Sequence, residues 1–423
     1  MPKSQIISAI DIGTTKVTTL IATLNSETDK LNIIGVANEP AKGLRKSQVV
    51  DIEEAIESIT ASVESAERMA GYSISSALAT ISGGHIESLN SKGVVAVAEP
   101  EGEISANDVD RVIEAARAVS LPSSREILHV IPRDFKVDSQ EGVKDPVGMS
   151  GVRLEAEAHI ITGAATAMKN ITKCVSEIGV EVDSLVFSGL SSAEAVLTPT
   201  EKELGVVLVD IGGGTTAIAV FVEGALSYSS VLPVGAKNIT NDLAIGLRVS
   251  LTTAEKIKLA LSKPPAKDSP EEPDDLDAKT LGVSEEIGKL NRKTLVEGII
   301  RPRLNEIFSM VGEELKKSNL GGATPAGAVV TGGGALSVGL ETSCKRTLSL
   351  PVRVGYPKGL SGLVDEIKTP AFASSWGLIQ YGVKHSRGVK TDSSIKAFGK
   401  ILGKLPVKGA VNKAVEVIKG FLP

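Results

Sequence analysis

The most regular pattern in the chain is an apolar run that ends in glycine and threonine and restarts at once. Ile6 to Leu24 reads IISAIDIGTTKVTTLIATL, and Gly205 to Val222 reads GVVLVDIGGGTTAIAVFV. Two β-rich runs joined by a few Gly and Thr residues predict a β-hairpin, because these residues favour a tight reversal of the chain. A third apolar run ends in the same way at 329–335, VVTGGGA. The repeated hairpin predicts a fold made of two similar halves that face one cleft.

The periodicity changes between the two hairpins. A stripe of apolar residues at helical spacing predicts a helix at 51–70. From 84 to 161, β-like runs surround one amphipathic helix at 105–119, which predicts an α+β module inserted into the first half. After the second hairpin, we expect a helix capped by Thr252 or Thr253 and a charged helical stretch from 284 to 317.

These changes divide the chain into segments. We predict a first half at 1–83 and 162–195, the inserted module at 84–161, a second half at 196–235 and 326–384, a subdomain of that half at 236–325, a linker at 385–392 and an amphipathic helix at 393–423.

The composition excludes several classes of function. The 423 residues carry a net charge of −5, which argues against a nucleic-acid partner, and aromatic residues make up only 3% of the chain. The two cysteines, Cys174 and Cys344, lack the spacing of a metal site or a disulfide framework, so we expect a reducing compartment.

The glycine-rich turns are candidate phosphate sites. Consecutive backbone N–H groups and hydroxyls in such a turn form a concave anion site. Asp11 and Asp210, at the strand ends, suit Mg²⁺, which prefers oxygen ligands, and Lys16 adds a cation for phosphate oxygens. The alternative is a tight turn beside a solvated Asp. The candidate nucleotide-binding residues are Asp11, Gly13, Thr14, Thr15 and Lys16 in the first turn, Gly212, Gly213, Gly214, Thr215 and Thr216 in the second, and Gly333, Gly334 and Ala335 in the third.

Two groups of charged residues within 236–325 leave their role open. Glu255 and Lys258 share a helix face, and the pattern by itself favours a surface ion pair over contacts with a ribose and a base. Lys293, Arg301 and Arg303 are available to an acidic partner, although a solvated face is the default interpretation.

The last 31 residues are basic and amphipathic. Six Lys against one Glu give 393–423 a local charge of +5 on an acidic protein. This pattern favours a helix lying on anionic lipid over a helix docked on the protein body. The residues predicted to contact the membrane are apolar Ile395, Phe398, Ile401, Leu402 and Leu405 on one side and Lys396, Lys400 and Lys404 on the other.

Several motifs in order resemble one family. AIDIGTTK, LVDIGGGTTAIAVF, the AEKIK helix and VVTGGGA are similar to the actin-like ATPase superfamily. The inserted stretch IPRDFKVDSQEGVKDPVGMSGVRLEAEAHIITG and the basic tail resemble the FtsA family in particular. The implied fold class is α/β: a duplicated, actin-like (ribonuclease H-like) fold with an inserted α+β subdomain and a C-terminal amphipathic helix.

The resemblance also implies a function. FtsA proteins bind ATP and Mg²⁺ between two actin-like halves, polymerise, and attach to the cytoplasmic membrane. They tether FtsZ filaments through the FtsZ C-terminal peptide and recruit later division proteins. By this resemblance Asp11 and Asp210 serve the metal, and Glu255 and Lys258 take the ribose side. The third glycine-rich turn, Gly333 to Ala335, lies by the nucleoside, and the FtsZ peptide docks on 236–325.

Two departures from the family pattern concern the γ-phosphate. The family usually has Asp where this chain has Ala217, and an acidic residue where it has Ser188-Gly189. We therefore expect ATP to be bound and hydrolysed slowly or not at all. The alternatives are a small-molecule kinase of the same superfold, a PilM-like pilus-assembly adaptor, and a rod-shape actin such as MreB. The basic tail is not expected of the kinase or of the PilM type, and the 84–161 module is not expected of MreB.

Overall fold

The structure is a computed structural model that describes residues 4–25, 30–98, 102–263, 275–276, 281–282, 290–363, 365 and 367–388. The chain divides into two units, Met1–Tyr381 and Gly382–Pro423. Of the second unit only residues 382–388 are described, as the end of a helix.

The elements of the first half and the module follow one another as three strands, a small hairpin, a long helix and two further groups of strands. They are β1 (Ser4–Ile12), β2 (Lys16–Asn25), β3 (Leu31–Pro40), β4 (Leu44–Arg45), β5 (Gln48–Val49), α1 (Ile52–Ala70), β6 (Ser76–Ile81), β7 (Glu87–Ala96), α2 (Ala106–Arg117), β8 (Arg125–Val137), β9 (Gln140–Val143), β10 (Arg153–Ala164), α3 (Ala165–Ser176), β11 (Glu181–Phe187) and α4 (Ser188–Val196).

The second half begins with a short helix and repeats the three-strand start. Its elements are α5 (Pro199–Leu204), β12 (Val206–Ile211), β13 (Thr216–Val222), β14 (Ala225–Leu232), α6 (Ala236–Leu247), α7 (Leu251–Ser262), β15 (Asp275–Leu276), β16 (Leu290–Asn291), α8 (Arg292–Leu295), a π-helical turn (Val296–Ile300), α9 (Arg301–Ser318), β17 (Ala328–Thr331), a 3₁₀ turn (Gly333–Leu336), α10 (Leu340–Leu348), β18 (Val352–Val354) and α11 (Ala373–Gly388).

The two large sheets have the same topology. The first has the order β11-β6-β1-β2-β3, and the second, read from its far edge, has the order β18-β17-β12-β13-β14. Each contains two antiparallel hairpins and, on the other side of the central strand, a parallel neighbour. The duplicated α/β fold expected from the repeated hairpin is confirmed.

The burial of the central strands explains why the sequence of each hairpin contains an apolar run. All six residues of β12 are buried, as expected for a strand covered on both faces. Helices α6, α7 and α9 cover one side of the second sheet through Ile239, Ile257 and Phe308. Because both faces are covered, a polar residue on such a strand is an exception that requires a partner or a role.

The inserted module has a sheet and a core of its own. Its strand order is β7-β10-β8-β9, and α2 packs on it through Val112 against Phe135 and Leu154. Ser105 and Asp108 form the capping box that starts α2. The α+β insertion in the predicted fold class is therefore present.

Two local predictions in the 236–325 segment were wrong. Ser250, rather than Thr252 or Thr253, caps α7, because its side chain accepts a hydrogen bond from the backbone N of Thr253. The stretch predicted as helical from 284 contains strand β16 at 290–291, paired with β15, and a helix follows this strand from Arg292. The π-helical turn ends at Ile300, two residues before Pro302, which lacks a backbone N–H to donate.

Candidate nucleotide-binding site

The two hairpin turns have the same hydrogen-bonded geometry. In the first, the backbone N of Gly13 donates to the carbonyl of Lys16 (3.0 Å), and in the second, Gly212 donates to Thr215 (2.8 Å). The turns also pack against each other, since a Cβ on Gly213 would lie 2.5 Å from Thr15 and one on Gly214 would lie 2.7 Å from Thr14. Glycine is needed there for this close approach.

A cavity of about 100 Å³ lies between the two turns. It brings together most of the predicted residues of both halves. Asp11, Gly13, Thr14, Thr15, Lys16, Asp210, Gly212, Gly213, Thr215 and Gly333 line it. Its wall also contains residues outside the predicted set, namely Ile12, Ser47, Thr80, Ser82, Ser188, Ala217, Gly332, Pro370, Ala371 and Ser374.

Six predicted residues are not on this wall. Gly334 and Ala335 are the buried residues of the 3₁₀ turn after β17, and Gly214 packs on Thr14. The hydroxyl of Thr216 donates to the carbonyl of Val234 (2.8 Å). The other two, Glu255 and Lys258, form the ion pair favoured by the sequence pattern, at 2.7 Å. The pair is not simply a surface pair, because Lys258 is buried and also donates to the hydroxyl of Thr240 (2.9 Å).

Each metal-site candidate is held by a serine from the opposite half. Asp11, on β1, accepts hydrogen bonds from Thr80 (2.8 Å) and from Ser375 at the start of α11 (2.9 Å). Asp210, on β12, accepts from Ser192 in the middle of α4 (2.5 Å). The helix that follows each sheet thus fixes the carboxylate of the other sheet, so the two halves share one polar centre.

The two serine-bearing helices cross at very close range. The hydroxyls of Ser191 and Ser374 lie 3.1 Å apart, and a Cβ on Gly377 would overlap the backbone carbonyl of Ser191. The serine pairs were not singled out from the sequence. The signal that could have found them is the repeated Ser-Ser dipeptide, SSAEAV at 191–196 and SSWGLI at 374–379.

Burial shifts the pKa values of two charged side chains in this centre. Burial lowers the pKa of Lys16 to about 8, although the carboxylates of Asp11 and Asp210 oppose this effect. Burial also raises the pKa of Asp210 to about 6; the Ser192 hydrogen bond and Lys16 lower it, and repulsion from Asp11 raises it. The ammonium of Lys16 lies 3.5 Å from the ring centroid of Phe372. A cation or an oxyanion entering here meets groups that are already desolvated.

The carboxylates of Asp11 and Asp210 suit Mg²⁺ only if further oxygen ligands come from water and a bound phosphate. Within the described ranges, no group of three or more His, Cys, Asp or Glu residues could hold a metal ion. Two carboxylates suit Mg²⁺ that keeps water and phosphate oxygens among its ligands. Gly332 leaves Asp210 accessible, because a Cβ there would overlap the carboxylate, and its φ of +84° also favours glycine.

The two departures from the family pattern meet at one corner of the cavity. Ser188 and Ala217 both line it, and a Cβ on Gly189 would lie 3.5 Å from the Cβ of Ala217. In the described part of the chain, Asp11 and Asp210 are the acidic residues on the wall. Asp210 lies opposite Ala217 on the neighbouring strand, so among the described residues this corner has no carboxylate beyond the two assigned to the metal.

The three residues predicted to bind the partner peptide differ in the ion pairs that they already form within the protein. Lys293 is exposed. Arg301 pairs with Glu297, and Arg303 makes a bidentate pair with Asp242 (2.6 and 2.8 Å) and a further bond to Glu306 (2.5 Å). An acidic ligand would have to compete with these carboxylates for both arginines, whereas Lys293 is accessible.

The predicted membrane residues, from Ile395 to Leu405, lie outside the described residues. Within the part that is described, we find no helix whose length and apolar content would let it cross a bilayer.

Comparison with known proteins assigns the family. A family model described as "SHS2 domain inserted in FTSA" matches residues 83–162, and one described as "Cell division protein FtsA" matches residues 207–377. A cell division protein FtsA of Pseudomonas aeruginosa is 39% identical, with 97% of this chain and 98% of that protein covered.

Solved structures agree on the fold. A PilM–PilN type IV pilus biogenesis complex matches with a TM-score of 0.61 at 15% identity, covering 89% of this chain and 98% of the other. MreB 5 of Spiroplasma citri bound to AMPPNP matches with a TM-score of 0.54 at 13% identity, covering 92% and 99%. These likenesses confirm the actin-like fold class and concern the fold alone. The sequence matches show that the chain belongs to the FtsA family of cell division proteins.

Proposed function

We propose that this protein binds ATP with Mg²⁺ between its two halves, polymerises on the cytoplasmic face of the membrane, and tethers FtsZ filaments there during cell division. The observation that carries the nucleotide part is the convergence of Asp11, Asp210 and Lys16 on one cavity between two hydroxyl-rich turns. Lys16 and the turn hydroxyls are the groups to hold phosphate oxygens, and the two carboxylates are those to hold the metal. Bound Mg²⁺–ATP would supply a compact charged ligand that joins both halves.

Membrane attachment and partner binding are assigned to other segments. The basic, amphipathic 393–423 is the lipid anchor, and 236–325 takes the acidic FtsZ C-terminal peptide, with Lys293 as its accessible cation. Self-association into filaments and recruitment of later division proteins complete the role. The pilus alternative is not proposed, because the 15% identity to PilM–PilN concerns the fold.

Tethering predicts that a labelled FtsZ C-terminal peptide floats with vesicles of phosphatidylglycerol and phosphatidylethanolamine when the full chain is present. Removal of 393–423 should leave both protein and peptide at the bottom of the gradient, while the truncated chain still binds the peptide in solution. Reversal of Lys396, Lys400 and Lys404 to Glu should reproduce the loss, because anionic lipid then repels the helix. Flotation of the truncated chain, or a peptide that never co-floats, contradicts the proposal.

Among the described residues, Ser188 and Ala217 add no carboxylate to the two assigned to the metal, and this predicts slow hydrolysis. We expect steady-state phosphate release far below about 1 s⁻¹, the lower end of ordinary enzyme turnover, with and without vesicles. The variant Ala217→Asp restores a carboxylate beside Ser188 and should hydrolyse ATP faster. Wild-type turnover near about 1 s⁻¹ would show that other groups position the water.

A further inference from the structure

Ser82 is a buried residue on the cavity wall that belongs to none of the three glycine-rich turns. It directly follows β6, is 7% exposed, and lines the same cavity as Asp11 and Lys16. Among the residues that the structure describes, its hydroxyl oxygen has no hydrogen-bond partner. A buried hydroxyl without a partner is unfavourable, so its presence at a ligand cavity points to a ligand atom as the partner.

Ser47 approaches the cavity from the β4–β5 hairpin. Its hydroxyl lies 3.2 Å from that of Thr14 and 3.0 Å from that of Thr215, and its backbone N donates to Thr14 (2.8 Å). In this arrangement the hydroxyls of both turns satisfy one another across the cavity. A phosphate that accepts hydrogen bonds from Thr14 and Thr215 would compete with Ser47 for these hydroxyls. The same ligand would therefore change the hydrogen bonds that hold the β4–β5 hairpin.

Both serines are joined to the start of the inserted module. Gly83 is the first residue matched by the SHS2 family model, and a Cβ on it would lie 3.3 Å from the side chain of Gln48 and 3.2 Å from that of His85. Its φ of +125° is one that glycine tolerates. Ser82 directly precedes Gly83, and Gln48, which follows Ser47, lies beside it, so a displacement of either serine would also displace the junction at Gly83.

The chain segments that enter and leave the inserted module are linked by hydrogen bonds. Arg125 donates to the carbonyl of His85 (3.0 Å) and to that of Thr162 (3.2 Å), and the backbone N of Ala164 donates to the His85 ring (3.3 Å). Because these bonds link the segment before β7 to the end of β10, a displacement at Gly83 would act on both strands.

We propose that Ser82 is a phosphate-contacting residue through which the inserted module responds to a bound nucleoside triphosphate. The proposal rests on the proposed nucleotide site. The third glycine-rich turn, assigned to the nucleoside, belongs to the second half, and Ser82 belongs to the first, so the far end of the phosphate chain is the part that reaches Ser82. There the Ser82 hydroxyl donates a hydrogen bond to an oxygen of the terminal phosphate.

The first test is nucleotide affinity, measured by calorimetric titration of wild type and Ser82→Ala with Mg²⁺–ATP and Mg²⁺–ADP. We expect the substitution to weaken ATP binding about tenfold, the typical loss for one hydrogen bond to a charged group. ADP binding should change by less than about twofold, since it lacks the phosphate in question. Ser343→Ala is a matched control, because Ser343 is also a buried serine whose hydroxyl has no partner among the described residues, and it is not on the cavity wall.

The second test asks whether the module responds. Amide hydrogen exchange in β7 and β10 should differ between the free and ATP-saturated states in wild type and in Ser343→Ala. The difference should be lost in Ser82→Ala even when ATP is saturating. If wild type binds ATP and Ser82→Ala binds it equally well, or keeps the module's response, the role of Ser82 is refuted while the nucleotide site stands. If wild type binds no ATP, the nucleotide site itself is refuted.

Discussion

Replacement of Gly377 by Ala is expected to destabilise the folded protein by about 3 kcal/mol, the upper part of the usual range for overpacking a core. The added Cβ would overlap the backbone carbonyl of Ser191, so α4 and α11 could cross only after one backbone moved. The same crossing holds the serines that bind Asp11 and Asp210. Urea unfolding can be followed by the fluorescence of Trp376, the one tryptophan of the chain, which is fully buried beside Gly377.

The control for this substitution is Gly298→Ala. Gly298 also lies in a helical turn, but a Cβ added there meets nothing within 4 Å. Alanine is better than glycine in a helix by up to about 1 kcal/mol, so the control should unfold at the same or a higher urea concentration. Equal midpoints for Gly377→Ala and wild type would mean that the helix crossing is looser than the structure has it.

Replacement of Asp210 by Asn is expected to have opposite effects on stability and on binding. Burial raises the pKa of Asp210 from its ordinary 3.8 to about 6. The folded state therefore binds a proton more tightly than the unfolded state, and folding loses stability as the pH rises from about 4 to about 6. Above that window the ionised carboxylate costs about 3 kcal/mol, at about 1.4 kcal/mol per pKa unit. The net gain of the Asn variant is on the order of 2 kcal/mol, because burying the new amide also has a cost. Asn avoids the cost of the ionised carboxylate and can still accept from Ser192.

The measurement combines unfolding and titration. At pH 7.5 the Asp210→Asn variant should resist urea better than wild type, and this advantage should shrink as the pH falls through the window. Its affinity for Mg²⁺–ATP should fall by about 100-fold, because a carboxylate aimed at the metal is gone. The exposed Asp183→Asn is the matched control and should change neither quantity. A variant that keeps wild-type Mg²⁺–ATP affinity would remove Asp210 from the metal site.

Local patterns were sufficient for the hairpins and for the inserted module. Both turns lie where Asp, Gly and Thr follow an apolar run, since strand burial and turn chemistry are properties of neighbouring residues. Local patterns were less reliable where competing signals stood close together. Ser250 lies two residues before Thr252, and either could cap a helix. The strand at 290–291 depends on a partner at 275–276, which helical periodicity does not reveal.

The sequence by itself determined the duplicated fold, the family, and the two Asp-bearing turns as a pair, because these follow from motifs that can be read within a few residues. Only the tertiary structure decided which other side chains complete the cavity. Ser191 and Ser374 are separated by 183 positions, and Ser47 and Ser82 stand in stretches without a chemical motif. Their roles arise from the crossing of α4 with α11 and from the packing of the β4–β5 hairpin at Gly83. Such contacts are set by the packing of whole elements, for which no short sequence pattern exists.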